Sequence, residues 1–307
     1  MAPSWQARCC TLAIRTVMRR ARWGDPEVLA RRARRLFGLP NPIQWLRTRG
    51  IRIELVRAGD VRGEWLTAAR ADRGALLYIH GGGYVAGSPA VYRPITAALA
   101  RLTGRRVFSL DYRLAPEHRF PAALDDAIAA YRWLLGQGIA PGSLALAGDS
   151  AGGGLVLATL LRARDEGMPL PACAVCLSPW TDLAGTGESL IANNGRCAMF
   201  RPENIPDFAR IYLGAVTPKH PYASPVYAEL HGLPPLLFQV GDDELLLDDS
   251  RRVHDAVRRA GGRSTLEMTA GVFHVWQMLD GFLPEARAAL LRAAEFIASN
   301  RATAPLP

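Results

Sequence analysis

From residue 75 onward, short apolar runs alternate with longer stretches of helical period. ALLYIH, RRVFSL, SLALAG, ACAVCLS, PLLFQVG and STLEM read as strands. Residues 89–102, 122–136, 151–165, 248–260 and 284–298 between and after them read as helices. Buried strands separated by helices predict an α/β fold with a mainly parallel central sheet and helices on both faces. Ahead of this, IRIELVR (51–57) alternates like a half-buried strand, and GEWLTA is its hairpin partner. Residues 4–22 and 26–37 read as two amphipathic helices. In the second, Asp25 suits the cap, Pro26 the first turn, and Gly38 and Pro40 the stop. Leu29, Ala33, Leu36 and Phe37 share one face, flanked by Arg31, Arg32, Arg34 and Arg35. The alternation breaks between about 182 and 232, where FRPENIPDFARIYLG looks helical. That stretch reads as an insertion after a strand, where such folds carry lids and specificity loops.

Composition changes this picture little. The chain has 307 residues, 49% hydrophobic and 21% charged, enough for one large domain with a full core. Its net charge of +9 raises nucleic acid as a partner. The basic residues are almost all arginines, with Lys219 the single lysine, scattered among acidic and apolar neighbours and accompanied by no recognition motif. No nucleic-acid binding is expected. The five cysteines include a lone C-x-x-C, Cys173 and Cys176, inside an apparent buried strand, so a core role outweighs a metal site. The apolar run Cys9–Ile14 lies between Arg8 and Arg15 and is too short for a signal peptide. A soluble cytoplasmic protein is expected. The arginines of 26–37 suit a solvated helix face better than a membrane contact, and a homodimer is left open.

Candidate chemistry begins with Gly148-Asp149-Ser150-Ala151-Gly152, a G-x-S-x-G set between a strand and a helix. Small residues there permit a sharp turn that lifts the serine hydroxyl into the open, in front of a helix N-terminus. His80-Gly81-Gly82-Gly83 follows the strand ALLYI and lies 70 residues ahead of Ser150. A glycine run lets backbone N–H groups approach an oxyanion, with a further donor expected from Ala151. A dinucleotide loop would need glycine at 86, where Ala86 stands. The two motifs together are far more specific than either alone.

With Asp111-Tyr112-Arg113-Leu114-Ala115-Pro116-Glu117 and SPWTDL, these motifs resemble the hormone-sensitive-lipase-like branch of the α/β-hydrolases, over about residues 75–300. The resemblance implies the α/β-hydrolase fold, an eight-stranded sheet, and a helical cap. The cap would combine residues 1–45 with the insertion at about 182–225, over a catalytic domain at 46–307. It implies hydrolysis of short- to medium-chain esters without a cofactor or metal, and oxyanion donors at Gly82, Gly83 and Ala151. One departure is Gly154, where many relatives have asparagine.

Chain order in this fold runs nucleophile, acid, base. Of six histidines, His274 in AGVFHVW sits between the last strand and the last helix, where the base belongs. Asp242, Asp243 and Glu244 compete for the acid, while Asp248 and Asp249 read as caps of the next helix. The family's D-P-L-x-D motif aligns with Glu244 and Asp248, which favours Glu244. The expected enzyme cleaves a small carboxylic ester through Ser150, Glu244 and His274. A lactone hydrolase or amide deacetylase could use the same triad, and a ligand receptor could use the same fold.

Overall fold

In the computed structural model the described residues are 2–19, 26–38, 44–71 and 74–301. Asp25 and Pro40, expected to bound the second helix, lie outside them. Helices α1 (Trp5–Met18), α2 (Pro26–Phe37) and α3 (Gln44–Thr48) precede β1 (Ile51–Ala58) and β2 (Val61–Ala68). Then come β3 (Ala75–Ile79), α4 (Pro89–Thr103), β4 (Arg106–Leu110), α5 (Ala122–Gly136), β5 (Leu144–Asp149), α6 (Ala151–Asp165) and β6 (Cys173–Leu177). The stretch where the alternation breaks holds α7 (Ser189–Ala192) and α8 (Asn204–Leu213). The chain closes with β7 (Leu236–Gly241), α9 (Leu247–Arg259), β8 (Ser264–Thr269) and α10 (Pro284–Ser299). Of the helix expected over 4–22, α1 spans Trp5–Met18 and is entered from Ser4, and residues 20–22 lie outside the described ones.

The eight strands form one sheet in the order β1-β2-β4-β3-β5-β6-β7-β8. Strand β2 is antiparallel to β1, as the hairpin reading requires, and also to β4, while the remaining neighbours from β4 across to β8 are parallel. Period-two alternation divides the core. Leu76, Tyr78, Ala145, Ala147 and Val175 face α4 and α10, while Leu77, Ile79, Leu146, Ala174 and Phe238 face α5, α6 and α9. Both faces being covered explains why these strands read as unbroken apolar runs. Truncating a side chain such as fully buried Leu77 to alanine would cost about 2–5 kcal/mol.

Cys173 and Cys176 lie three apart on β6 and so pack into opposite cores, which rules out a shared metal. Many arginines are paired: Arg93 grips buried Glu64 through two bonds of 2.9 and 2.7 Å, and Arg113 grips Asp126. Among the described residues, no helix is long and apolar enough to cross a membrane.

Two expectations need correction. Asp248 and Asp249 fall in the first turn of α9, but its cap residue is Leu246, with no side-chain cap bond. Their carboxylates instead reach across to the segment after β6. Asp248 accepts the N–H of Ser189, and Asp249 accepts those of Thr181 and Asp182, each bond 2.7–2.8 Å long. Orphan N–H groups of the irregular segment claim these oxygens, because a buried loop leaves its backbone donors no water. Ser150, expected in the open, is only 8% exposed and opens onto a cavity rather than into free solvent.

Candidate active site

Every expected site residue lies at the carboxyl end of a parallel strand, where the loops of an α/β sheet converge. Ser150 follows β5, the glycine loop follows β3, Glu244 follows β7 and His274 follows β8. Ser150 is held at φ 51° and ψ −124°, a region that costs a non-glycine residue about 1–3 kcal/mol. Its N–H donates to Leu177 O at 2.8 Å, and its carbonyl accepts from Gly154 and Trp180. A Cβ on Gly152 would lie 2.1 Å from Ile79 O, so only glycine lets α6 start this close to β3.

Glu244 and His274 are both buried, and His274 Nδ1 lies 2.5 Å from Glu244 Oε2. The other carboxyl oxygen accepts Ser178 Oγ–H and the Gly241 N–H, each at 2.7 Å. Asn193 Nδ2 donates to the carbonyls of Asp242 and Glu244 at 3.0 and 2.8 Å, fixing the turn. Phe200 sets its edge against the imidazole, with ring centroids 5.1 Å apart. The rival acids are engaged elsewhere: Asp242 Oδ1 accepts the Gly271 N–H at 3.0 Å, and Asp243 pairs with Arg196. His274 Nε2 is buried without a partner among the described residues, and His274 and Ser150 line the same cavity.

The glycine loop is locked from below. Tyr78 Oη–H and the Gly81 N–H donate to Asp149 Oδ1 at 2.7 and 3.0 Å. Burial still pushes the Asp149 carboxyl up to about 6, against those two bonds. His80 is stacked between Tyr92 and Tyr112, and burial pushes its imidazole down to about 4. A neutral imidazole can place a proton on Nδ1, which lies 2.8 Å from Gly81 O. Gly82 takes φ 108°, and a Cβ there would lie 2.1 Å from Ala86 O. The N–H groups of Gly82, Gly83 and Ala151 meet no acceptor among the described residues.

The cavity above Ser150 holds about 310 Å³. Its wall is mostly apolar, with Trp180, Phe200, Phe208, Leu246 and Phe273 prominent. Ile14 of α1 and Ile205 of α8 also reach it. No cluster of three or more His, Cys, Asp or Glu able to hold a metal occurs among the described residues.

No motif or spacing in the sequence points to Ser178, Asn193 or Tyr78. Ser178 stands in the SPWTDL segment, and its positive φ of 45° is visible only in three dimensions.

Residues 76–278 match the family model described as the alpha/beta hydrolase fold, and the chain belongs to that family, in its hormone-sensitive-lipase-like esterase branch. It is 46% identical to an acetyl-hydrolase of Streptomyces hygroscopicus, over 80% of this chain and 82% of the relative. An esterase of Acinetobacter venetianus is 36% identical over 81% and 82%. Among solved structures, an esterase from the bacterial hormone-sensitive lipase family superposes with a TM-score of 0.88 at 42% identity, covering 98% of this chain and 99% of that one. The crystal structure of EstE5 soaked with p-nitrophenyl butyrate gives 0.89 at 39%, covering 98% and 100%.

Proposed function

We propose that this carboxylic ester hydrolase works through Ser150 as nucleophile, His274 as general base and Glu244 as the acid that orients it. One observation carries the reading: His274 Nδ1 is held against Glu244 at 2.5 Å, while its Nε2, without a partner among the described residues, belongs to the wall of the cavity that Ser150 also lines. A carboxylate can only accept, so it keeps the proton on Nδ1 and leaves the Nε2 lone pair free. Ser150 Oγ attacks the ester carbonyl and its proton passes to Nε2. The tetrahedral oxyanion takes hydrogen bonds from the N–H groups of Gly82, Gly83 and Ala151. Nε2–H protonates the departing alkoxide, leaving an acyl-Ser150 ester. Water, deprotonated by Nε2, then attacks that ester, and the carboxylic acid leaves as Ser150 regains its proton.

Short- to medium-chain acyl esters fit best. The cavity of about 310 Å³ stands at the lower end of the roughly 300–1,000 Å³ usual for small-molecule sites, and its wall offers apolar contact rather than charge. Residues 1–45 and the insertion at about 182–225 act as a cap over the catalytic domain at 46–307. Ile14, Phe200 and Phe208 on the cavity wall, and α2 against α8, support this division. A cytoplasmic location belongs to the same reading, and the five unpaired cysteines suit a reducing compartment.

The acetyl-hydrolase relative favours one second reading, removal of acetyl groups from esters or amides. The test is kcat/KM on esters of graded acyl length, a lactone and an N-acetyl amide. Esters with short to medium acyl chains should lead. A preference for the amide or the lactone by more than about tenfold would overturn the ester assignment.

A further inference from the structure

The loop that carries His274 is pinned on both sides by α1. On one side, Thr11 Oγ1 donates to Gly271 O at 3.3 Å, three residues before His274. Pro3 stands so close to Gly271 that a Cβ there would lie 2.7 Å from its ring. On the other side lies Trp276, fully buried, which packs with Phe273 against Ala7, beside Cys10 and Ile14. The Trp276 indole N–H donates to Glu285 O at 3.2 Å. The Glu285 side chain completes the clamp: its two oxygens accept the Ser4 N–H at 2.6 Å and the Ser4 hydroxyl at 3.0 Å. Ser4 Oγ in turn accepts the Ala7 N–H at 3.1 Å as the cap of α1. Glu285 is in the first turn of α10. One carboxylate therefore answers the positive ends of two helices.

We propose that α1 is a positioning element for His274, and that Ser4 and Glu285 are the positioning residues that seat it. The proposal rests on the reading of His274 as base. A cap that only covers substrate governs binding and acyl preference. A brace behind the base governs the chemical step, because a reacting group displaced by about 1 Å can lose about a hundredfold in rate. The clamp joins residues 281 apart in the chain, and neither of its side chains lines the cavity, so its loss reaches the chemistry through the loop.

The test uses the full chain with Ser4→Ala, Ser4→Thr and Glu285→Gln, and measures kcat and KM separately on acetyl, butyryl and octanoyl esters of one alcohol. Ser4→Ala and Glu285→Gln should each lower kcat about tenfold, by the same factor on all three esters, with KM nearly unchanged. Ser4→Thr, which keeps the hydroxyl, should restore kcat. The downfield proton resonance of His274 Nδ1–H should broaden in the two impaired variants and stay sharp in Ser4→Thr. Should Glu285→Gln fail to fold, Ser4→Ala, which removes one hydroxyl at the cap of α1, decides. Wild-type kcat in Ser4→Ala, or a change confined to KM and acyl preference, overturns the proposal. His274→Gln serves as control: if it still turns over, the base assignment has failed. If it is dead while Ser4→Ala and Glu285→Gln run normally, the clamp alone has failed.

Discussion

Ser178 Oγ donates to Glu244 Oε1 at 2.7 Å, and Glu244 Oε2 meets His274 Nδ1 at 2.5 Å, so a residue 66 positions away holds the acid against the base. Ser178 does this from a positive φ of 45°, unusual for a residue other than glycine. Without the hydroxyl, Oε1 keeps only the Gly241 N–H. A hydrogen bond to a charged group contributes about 1.5–3 kcal/mol. Ser178→Ala and Ser178→Gly should therefore both lower kcat by about tenfold or more, with KM little changed. Glycine relieves the backbone conformation, so equal losses would trace the effect to the hydroxyl. Unchanged kcat in Ser178→Gly would remove Ser178 from the site.

Glu244→Gln should lower kcat by about 10⁴-fold, because an amide can present its N–H to Nδ1 and favour the wrong tautomer. Asp242→Asn and Asp243→Asn should stay within a few-fold of wild type, since those side chains bind Gly271 N–H and Arg196. Kinetics of the three variants on one activated ester check this. Collapse of an aspartate variant with Glu244→Gln intact would reassign the acid.

How much of this was legible in the sequence depends on the range of the contact. The strands and helices followed from local period, since both faces of the sheet are covered and each buried strand is an apolar run. The nucleophile turn and glycine loop were legible because backbone geometry demands small residues at fixed spacing. The choice of Glu244 over Asp242 and Asp243 rests on alignment with a family motif and on the two aspartates lying nearer the strand end. Ser178 and the Ser4–Glu285 clamp were not legible, as each pairs side chains that only tertiary folding brings together. Asp248 and Asp249 depart from the cap expectation for the same reason. Acidic residues in a first turn resemble caps, and nothing local reveals that the segment after β6 needs their oxygens more.

Asp249 sets a pH dependence of stability. Burial, with Asp182 nearby, pushes its carboxyl up to about 8. The unfolded value is about 3.9. The folded value is the higher one, so the folded state binds more protons between them. The stabilisation is thus complete below the unfolded value and is lost as pH rises through about 8. Asp249→Asn keeps an acceptor for the Thr181 and Asp182 N–H groups but cannot ionise. Its melting temperature relative to wild type should climb between pH 6 and about 9. A difference constant across that range would contradict the assignment.

Gly154 lies in the first turn of α6, against the segment that follows β6. A Cβ there would lie 2.1 Å from Trp180 O and 3.1 Å from Tyr84 Oη. Gly154→Asn should destabilise the protein by about 1–3 kcal/mol, because the Trp180 backbone must move. Trp180 lines the cavity, so KM should shift as well. Denaturant unfolding and steady-state kinetics of the variant measure both, and wild-type values in both would mean the turn relaxes without strain.

The central claim is that Ser150 forms a covalent acyl-enzyme, and intact-protein mass after treatment with an alkyl p-nitrophenyl phosphonate tests it most directly. Wild type should gain the mass of one phosphonyl group, mapped by peptide sequencing to Ser150, with loss of ester hydrolysis in step. Ser150→Ala should gain none and hydrolyse no ester above background, while melting as wild type does. Equal labelling of Ser150→Ala, or a label mapped to another residue, would contradict the account.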